Sequence, residues 1–243
     1  MLIVNADDWG RDRVATNTAL ACCQKGRVSC VSAMVFMEDS ERAAQIANEA
    51  GLDAGLHVNF TESFTCRNCP PEISARQERL RRFLKRSKYA LLLYHPLLAR
   101  SFRRAFDAQL AEFIRLYGQA PSHFDGHQHM HLSTNMLAQR IIPAGERVRR
   151  SFSFKPGEKG LLNRLYRRVV DRRLANRYRL TDFFFALSQH LGPARLAPLF
   201  ALARTAKVEL MTHTWNQLEY DCLMSDSFRQ LADGIEVRSY AGL

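Results

Sequence analysis

Short apolar runs alternate along this chain with stretches whose apolar residues recur at helical spacing. The first run, residues 2–4, leads directly toward two adjacent carboxylates, Asp7 and Asp8. Runs this short indicate buried strands, and strands that alternate with helices indicate a largely parallel sheet. Further strand-like runs lie at residues 28–37, 54–60 and 208–215. The pattern therefore predicts an α/β fold, either open or closed to a barrel.

Stretches with helical periodicity fall between these runs. Apolar positions in residues 101–117 share one helical face, with Ser101 as the predicted cap and Gly118 as the stop. Residues 40–50 have the same arrangement. Other predictions are helices at residues 14–25, 163–178 and 195–206, the last of them interrupted at Pro198. Residues 76–100 are predicted as basic helical material broken near Pro96, and residues 62–75 as a loop. Because no repeat and no linker interrupts the alternation, we expect a single domain over residues 1–243.

Composition limits the class of protein. A chain of 243 residues with 47% hydrophobic content can bury a full core. No apolar run approaches the ~18 residues of a membrane span, and Asp7 and Asp8 come too early for a signal peptide. We therefore expect a cytoplasmic protein. Its six cysteines do not suggest a disulfide scaffold of the secreted type. The CxxC pair Cys66 and Cys69 is expected to carry two reduced thiols, with a zinc half-site or a redox pair as the alternatives.

The net charge of +11 is concentrated in two segments. Residues 76–104 hold ten Lys or Arg against one acid, and residues 147–179 hold twelve against two. Such segments are typical of solvated helical faces, and also of surfaces that attract anionic lipid, a lipid-linked glycan or a phosphorylated substrate. They lack a nucleic-acid-binding motif, so nucleic acid is not expected as a partner. A location peripheral to the membrane is compatible with this pattern.

Aspartate or histidine recurs at or near the ends of four predicted strands. The residues are Asp7, Asp8, His57, Asp125, His127, His129, His131 and His213. This is the pattern expected when one pocket is assembled from several strand ends. One carboxylate with two imidazoles can bind a divalent metal and leave positions for water and substrate. On ligand grounds, two imidazoles favour Zn, Mn, Co or Ni over Mg.

Three ordered blocks carry a family resemblance. The blocks are Asn5-Ala-Asp-Asp-Trp-Gly10, Gly55-Leu-His57 and Asp125-Gly-His-Gln-His-Met-His131. They closely resemble the signature blocks of the YdjC-like (ChbG/HpnK-type) carbohydrate deacetylases, which usually have Phe where Trp9 stands. The resemblance spans residues 5 to about 215. It implies a modified (β/α) barrel with parallel strands inside and helices outside, one divalent metal, and removal of N-acetyl groups from amino sugars.

The resemblance also implies roles for individual residues. The implied metal ligands are Asp8, His57 and His127. Asp7 matches the catalytic base, and Arg147 or Arg149 matches an arginine that steadies it. His213 stands where a histidine acts as general acid, although the usual His-Pro-Gly reads His-Thr-Trp here. The family uses Mg, so the metal stays open between Mg and Zn, and a homodimer is expected by the same resemblance.

The remaining candidates have supporting roles. We expect Asp125 to orient a ligand imidazole from behind, His129 to line the cleft, and His131 to be structural. A metal-dependent phosphoesterase is the alternative enzyme, but it would more often need a second metal. A non-catalytic sugar- or lipid-binding protein is the other alternative. The adjacent carboxylates Asp7 and Asp8 argue against it, because a binding module does not need them.

Overall fold

Six strands form the sheet, and nine α-helices accompany them in the computed structural model, which describes residues 1–87, 89–154 and 160–243. The strands are β1 (Leu2–Trp9), β2 (Cys30–Ala33), β3 (Ala54–Val58), β4 (Phe124–Gly126), β5 (Phe183–Ala186) and β6 (Val208–Thr212). Their order is β4-β3-β2-β1-β6-β5. The predicted α/β fold of the modified (β/α) barrel type is confirmed, with six strands rather than the eight of a complete barrel.

The helices follow the predicted alternation with shifted ends. They are α1 (Arg13–Gln24), α2 (Ser40–Ala50), α3 (Pro71–Lys85), α4 (Pro96–Tyr117), α5 (Thr134–Ala138), α6 (Leu161–Ala175), α7 (Pro193–Ala203), α8 (Gln217–Met224) and α9 (Asp226–Ala232). Among the described residues, no helix is both long and apolar enough to cross a bilayer. Residues 88 and 155–159, which belong to the two predicted basic segments, lie outside the described residues.

Chain contacts divide the protein into two compact units. The first comprises residues 1–7, 17–31 and 144–243, and the second comprises residues 8–16 and 32–143. The single domain predicted over residues 1–243 stays a prediction.

The first unit contains two parallel strand pairs. Leu2 of β1 lies opposite Val208 of β6, and Phe183 of β5 lies opposite the same valine from the other side. Phe184 and Met211 are buried together, with Phe152 stacked on the Phe184 ring at 4.7 Å. Burial of both sides explains why these strands are mostly apolar.

In the second unit, β3 and β4 pair in parallel with His57 opposite Asp125. Helix α4 covers this part of the sheet with aromatic contacts, since Phe106 lies 5.8 Å from Phe124, ring centroid to centroid. Facing residues of neighbouring strands lie close enough for their side chains to bond. The register of these two strands alone therefore brings His57 and Asp125 together.

Two predicted elements near the candidate site were wrong. Asp7 and Asp8 lie inside β1, which runs on to Trp9, and Asp8 has a left-handed φ of 66° that aspartate tolerates. The three alternate histidines do not lie on a strand. They belong to a 3₁₀ helix, His127–Leu132, in which Gln128 and His129 have φ values of 52° and 58°. The period of two therefore does not place these side chains on one face.

Proline positions explain the other errors. Helix α4 begins at Pro96 rather than at Ser101, because proline at the first helical position starts a helix instead of breaking it. Ser101 is buried inside that helix. Pro71 likewise starts α3 within the predicted loop 62–75, and α7 continues through Pro198.

Candidate active site

Asp8, His57 and His127 bring three ligand atoms within 4.8 Å of one another. Asp8 comes from β1, His57 from β3, and His127 from the residue directly after β4. His127 Nδ1 lies 3.0 Å from Asp8 Oδ1, and His57 Nε2 lies 3.5 Å from the same oxygen. All three residues are buried. The structure thus brings together the three residues for which the sequence predicts metal binding.

Asp125 holds one of these imidazoles from behind. Its Oδ1 lies 2.8 Å from His57 Nδ1, so the other ring nitrogen of His57 faces Asp8. Ser32 Oγ donates to Asp125 Oδ2 at 2.8 Å and lies 3.0 Å from His123 Nε2. A carboxylate behind an imidazole sets its tautomer and raises its basicity toward a metal. Asp125 therefore orients the His57 ring for metal binding.

We expect Asp125→Asn to lower divalent-metal affinity by about 10- to 100-fold. The amide can still accept a hydrogen bond from His57 Nδ1, but it lacks the charge that makes the imidazole a better ligand. Isothermal titration with Zn²⁺ measures the change. Asp107→Asn, an exposed aspartate on α4, is the matched control. An unchanged affinity in Asp125→Asn would show that this contact is only structural.

Glu62 is a site residue that sequence reasoning missed. Its Oε1 lies 3.1 Å from His127 Nε2, while 35% of its side chain is exposed. Its backbone is held by buried amides, because Glu62 N donates to Asn59 Oδ1 at 2.9 Å and Gln77 Nε2 donates to Glu62 O at 2.6 Å. No periodic signal marks this residue, since it follows a strand in an irregular turn.

The contacts of His127 shift two pKa values. Burial lowers the pKa of His127, but hydrogen bonds with Asp8 and Glu62 outweigh burial and raise it to about 9. The hydrogen bond with His127 lowers the pKa of Glu62 in turn. A metal ligand binds in its deprotonated form, so an ion would displace the proton of this imidazole.

Asp7 is held by a buried arginine. Arg149 Nη1 and Nη2 donate to the two oxygens of Asp7 at 2.7 Å each. Arg147 instead donates to the backbone oxygen of Ala241 at 3.1 Å. Of the two arginines that the sequence left open, Arg149 is therefore the one that contacts Asp7.

The same arginine is fixed by a second acid. Arg149 Nε donates to Glu209 Oε1 at 2.8 Å, and Tyr240 Oη donates to Glu209 Oε2 at 2.5 Å. All three side chains are fully buried. Sequence reasoning missed Glu209 and Tyr240. A glutamate within the apolar run of β6 was a usable signal, since glutamate is almost never fully buried unless it is paired.

The remaining histidines differ in exposure. His213 directly follows β6 and keeps 28% of its side chain exposed, with Nδ1 3.8 Å from Glu219 Oε1. Its backbone N–H donates to Glu219 Oε2 at 3.0 Å. His129 is half-buried, whereas His131 is buried. A partly exposed imidazole fixed at a strand end can exchange protons with a ligand.

Comparison with protein families decides the relationship of this chain. The model of the family described as YdjC-like protein matches residues 1–233. The chain belongs to the YdjC-like family. The match covers every candidate site residue except Tyr240.

Curated relatives of this YdjC-like chain include named deacetylases. A chitooligosaccharide deacetylase of Enterobacter sp. (strain 638) is 30% identical over 133 residues, which are 54% of this chain and 50% of the relative. A carbohydrate deacetylase of Mus musculus is 30% identical over 168 residues, 66% of this chain and 52% of the relative. The chain thus spans about half the length of these relatives. A carbohydrate deacetylase of Homo sapiens is 28% identical over 240 residues, 88% of this chain and 71% of the relative.

A solved structure shares the fold of this YdjC-like chain. It belongs to a proposed cellobiose-phosphate cleavage protein of Enterococcus faecalis V583 and covers 99% of this chain and 97% of its own. The TM-score is 0.67 at 17% identity. At this identity the likeness shows the fold alone.

The CxxC pair of this YdjC-like protein is reduced. All six cysteines are free, and Cys66 and Cys69 are half-buried. Burial and the neighbouring Cys69 raise the pKa of the Cys66 thiol to about 12. A thiol that stays protonated at neutral pH is a poor nucleophile.

Proposed function

We propose that this YdjC-like protein is a metal-dependent carbohydrate N-deacetylase, which hydrolyses the N-acetyl group of an amino sugar. The observation that carries the proposal is the convergence of Asp8, His57 and His127 within 4.8 Å. The names of the relatives, chitooligosaccharide and carbohydrate deacetylases, support an N-acetylated sugar as the substrate class. The cytoplasmic location and the homodimer expected from the sequence stay predictions.

The donor set suits one divalent ion. One carboxylate and two imidazoles favour a borderline metal such as Zn²⁺, and Mg²⁺ is the alternative that the family resemblance implies. Asp8, His57 and His127 would hold the ion, with Asp125 fixing the ring of His57. When bound, the ion would polarise the acetyl carbonyl and make a water molecule more acidic.

Asp7 is the proposed general base. It is the residue next to Asp8, so its carboxylate belongs to the same end of β1 and can take a proton from the attacking water. The two-point contact with Arg149 fixes the orientation of this carboxylate. Glu209 in turn fixes the guanidinium, so that Arg149 acts on Asp7 as a positioning residue.

His213 is the proposed general acid. An amine leaves an amide poorly unless it gains a proton, and a protonated imidazole can supply it. Such transfer contributes typically 10²- to 10⁴-fold to the rate. Its Nδ1 lies 3.8 Å from Glu219 Oε1, and the exposed 28% of the His213 side chain leaves the ring open to a ligand. His129 is proposed to line the cleft beside the ligand His127.

Acetate release tests the proposal. A panel of N-acetylated sugars in free, oligomeric and lipid-linked form is incubated with the protein and added Zn²⁺ or Mg²⁺. We expect release from at least one member, and a fall of about 10²- to 10⁴-fold in Asp7→Asn, because the amide cannot accept the water proton. Asp221→Asn, an exposed aspartate on α8, is the control that should match the wild type.

Other outcomes of this assay separate the alternatives. Release of phosphate from phosphorylated sugars without any acetate would indicate the phosphoesterase. Binding of a glycan without turnover in any form would indicate the non-catalytic module. Equal acetate release by wild type and Asp7→Asn would contradict the role of Asp7 as base.

A further inference from the structure

The segment between α3 and α4 exposes large apolar side chains. Among its nine residues, Tyr89 to Leu97, five large apolar side chains are exposed. They are Tyr89 at 59%, Leu92 at 43%, Leu93 at 60%, Tyr94 at 49% and Leu97 at 78%. Single exposed apolar residues are ordinary on a protein surface, but a contiguous group marks an interaction surface.

This segment is anchored to the protein beneath it. His95 N donates to Asn135 Oδ1 at 3.0 Å, and Asn135 Nδ2 donates to His95 O at 3.0 Å. The His95 ring also lies edge-on to Phe83, with 4.9 Å between ring centroids. Since Asn135 is buried, the exposed leucines project from an element that has fixed partners on its inner side.

Arginines flank the segment on both sides. Arg79, Arg82 and Arg86 recur at helical spacing on the exposed side of α3 and its C-terminal cap. On α4, Arg100 and Arg104 follow Leu97 at the same spacing and are also exposed. Along the chain, the apolar segment therefore lies between two sets of exposed arginines, all within the second unit.

We propose that the segment Tyr89–Leu97 and its flanking arginines dock this protein onto an anionic lipid bilayer. Leucine and tyrosine side chains enter the boundary between headgroups and acyl chains, while arginines contact lipid phosphates. The apolar centre of this surface matches the acyl chains of a membrane, and its cationic flanks match the anionic headgroups. The proposal does not depend on the deacetylase activity.

Two other occupants fit less well. In a two-fold symmetric dimer the same patch meets itself, so arginines would face arginines, which is unfavourable. Nucleic acid would pair with the arginines but would leave the leucines exposed to water, and no nucleic-acid-binding motif accompanies them. Charge complementarity thus selects the anionic bilayer.

Vesicle sedimentation tests the docking surface. The full chain is mixed with vesicles of phosphatidylcholine alone or with phosphatidylglycerol added. We expect binding that requires phosphatidylglycerol and weakens as salt is raised, because salt screens surface charges. Absence of binding to both kinds of vesicle, or equal binding to both, would overturn the proposal.

Two variants test the apolar part and the cationic part of the surface separately. Leu93→Ser with Leu97→Ser should weaken binding about a hundredfold or more, since burying each leucine is worth roughly one to two decades of an equilibrium constant. Arg79→Gln, Arg100→Gln and Arg104→Gln together should weaken it about a hundredfold, at roughly fivefold per charge.

Leu218→Ser on α8 is the matched apolar control, because Leu218 is 66% exposed and lies outside the surface. It should bind as the wild type does. All altered side chains are exposed, so thermal unfolding should be unchanged in each variant. Full vesicle binding by the double variant Leu93→Ser, Leu97→Ser would show that the bilayer is not the partner. The same conclusion would follow if the wild type is a dimer that does not bind vesicles and the double variant is a monomer.

Discussion

Asp8→Asn is expected to lower divalent-metal affinity by more than about a hundredfold, beyond the loss typical of a residue that only supports a ligand. Asp8 Oδ1 is the oxygen that both imidazoles face, at 3.0 Å from His127 Nδ1 and 3.5 Å from His57 Nε2. The variant removes the one anionic member of the donor set. Titration with Zn²⁺ and Mg²⁺ measures the loss.

Asp12→Asn is the matched control for this variant. Asp12 lies on the same stretch of chain and also contacts Arg11, at 2.9 Å, but it lies outside the donor set. Its metal affinity should equal that of the wild type. Retained affinity in Asp8→Asn, with circular dichroism showing both variants folded, would remove Asp8 from the metal site.

Arg149→Met is expected to lower the free energy of unfolding by about 3–5 kcal/mol. The guanidinium is fully buried and joins two carboxylates, those of Asp7 and Glu209. Methionine fills much of the volume but removes the charge of Arg149 from both buried acids. Such acids must either stay charged in a poor solvent or take up protons, and both cost free energy. Urea unfolding measures the change.

Arg147→Met is the matched control for the destabilisation expected in Arg149→Met, because it removes a neighbouring arginine. Arg147 is only half-buried, and its Nη2 donates to the backbone oxygen of Ala241. We expect its unfolding free energy to stay within about 1 kcal/mol of the wild type. Equal destabilisation of both variants would mean that Arg149 contributes through packing alone.

Parts of the site could be predicted from the sequence because they lie at or near strand ends. Asp8 is the last residue but one of β1, and His127 directly follows β4. His57 lies inside β3, opposite Asp125. Chemistry at the ends of short apolar runs is visible without coordinates, since parallel strands end at the same edge of a sheet.

Other parts could not be predicted because their positions depend on tertiary contacts. Glu62 reaches His127 from an irregular turn that is held by Asn59 and Gln77, and no periodicity signals such a turn. Left-handed φ values at Gln128 and His129 replace the strand that alternate histidines suggest. Strand β5 was not predicted, although Phe183–Ala186 is a short apolar run that carries the same signal as the other strands.

The central claim is that one ion held by Asp8, His57 and His127 is required for N-deacetylation. Its most direct test is titration of chelator-treated protein with Zn²⁺ or Mg²⁺ while bound metal and acetate release are measured together. We predict that acetate release rises with bound metal and levels off at one ion per chain, and that His57→Gln shows neither increase. Acetate release that chelation does not reduce, or that His57→Gln retains in full, would contradict the claim.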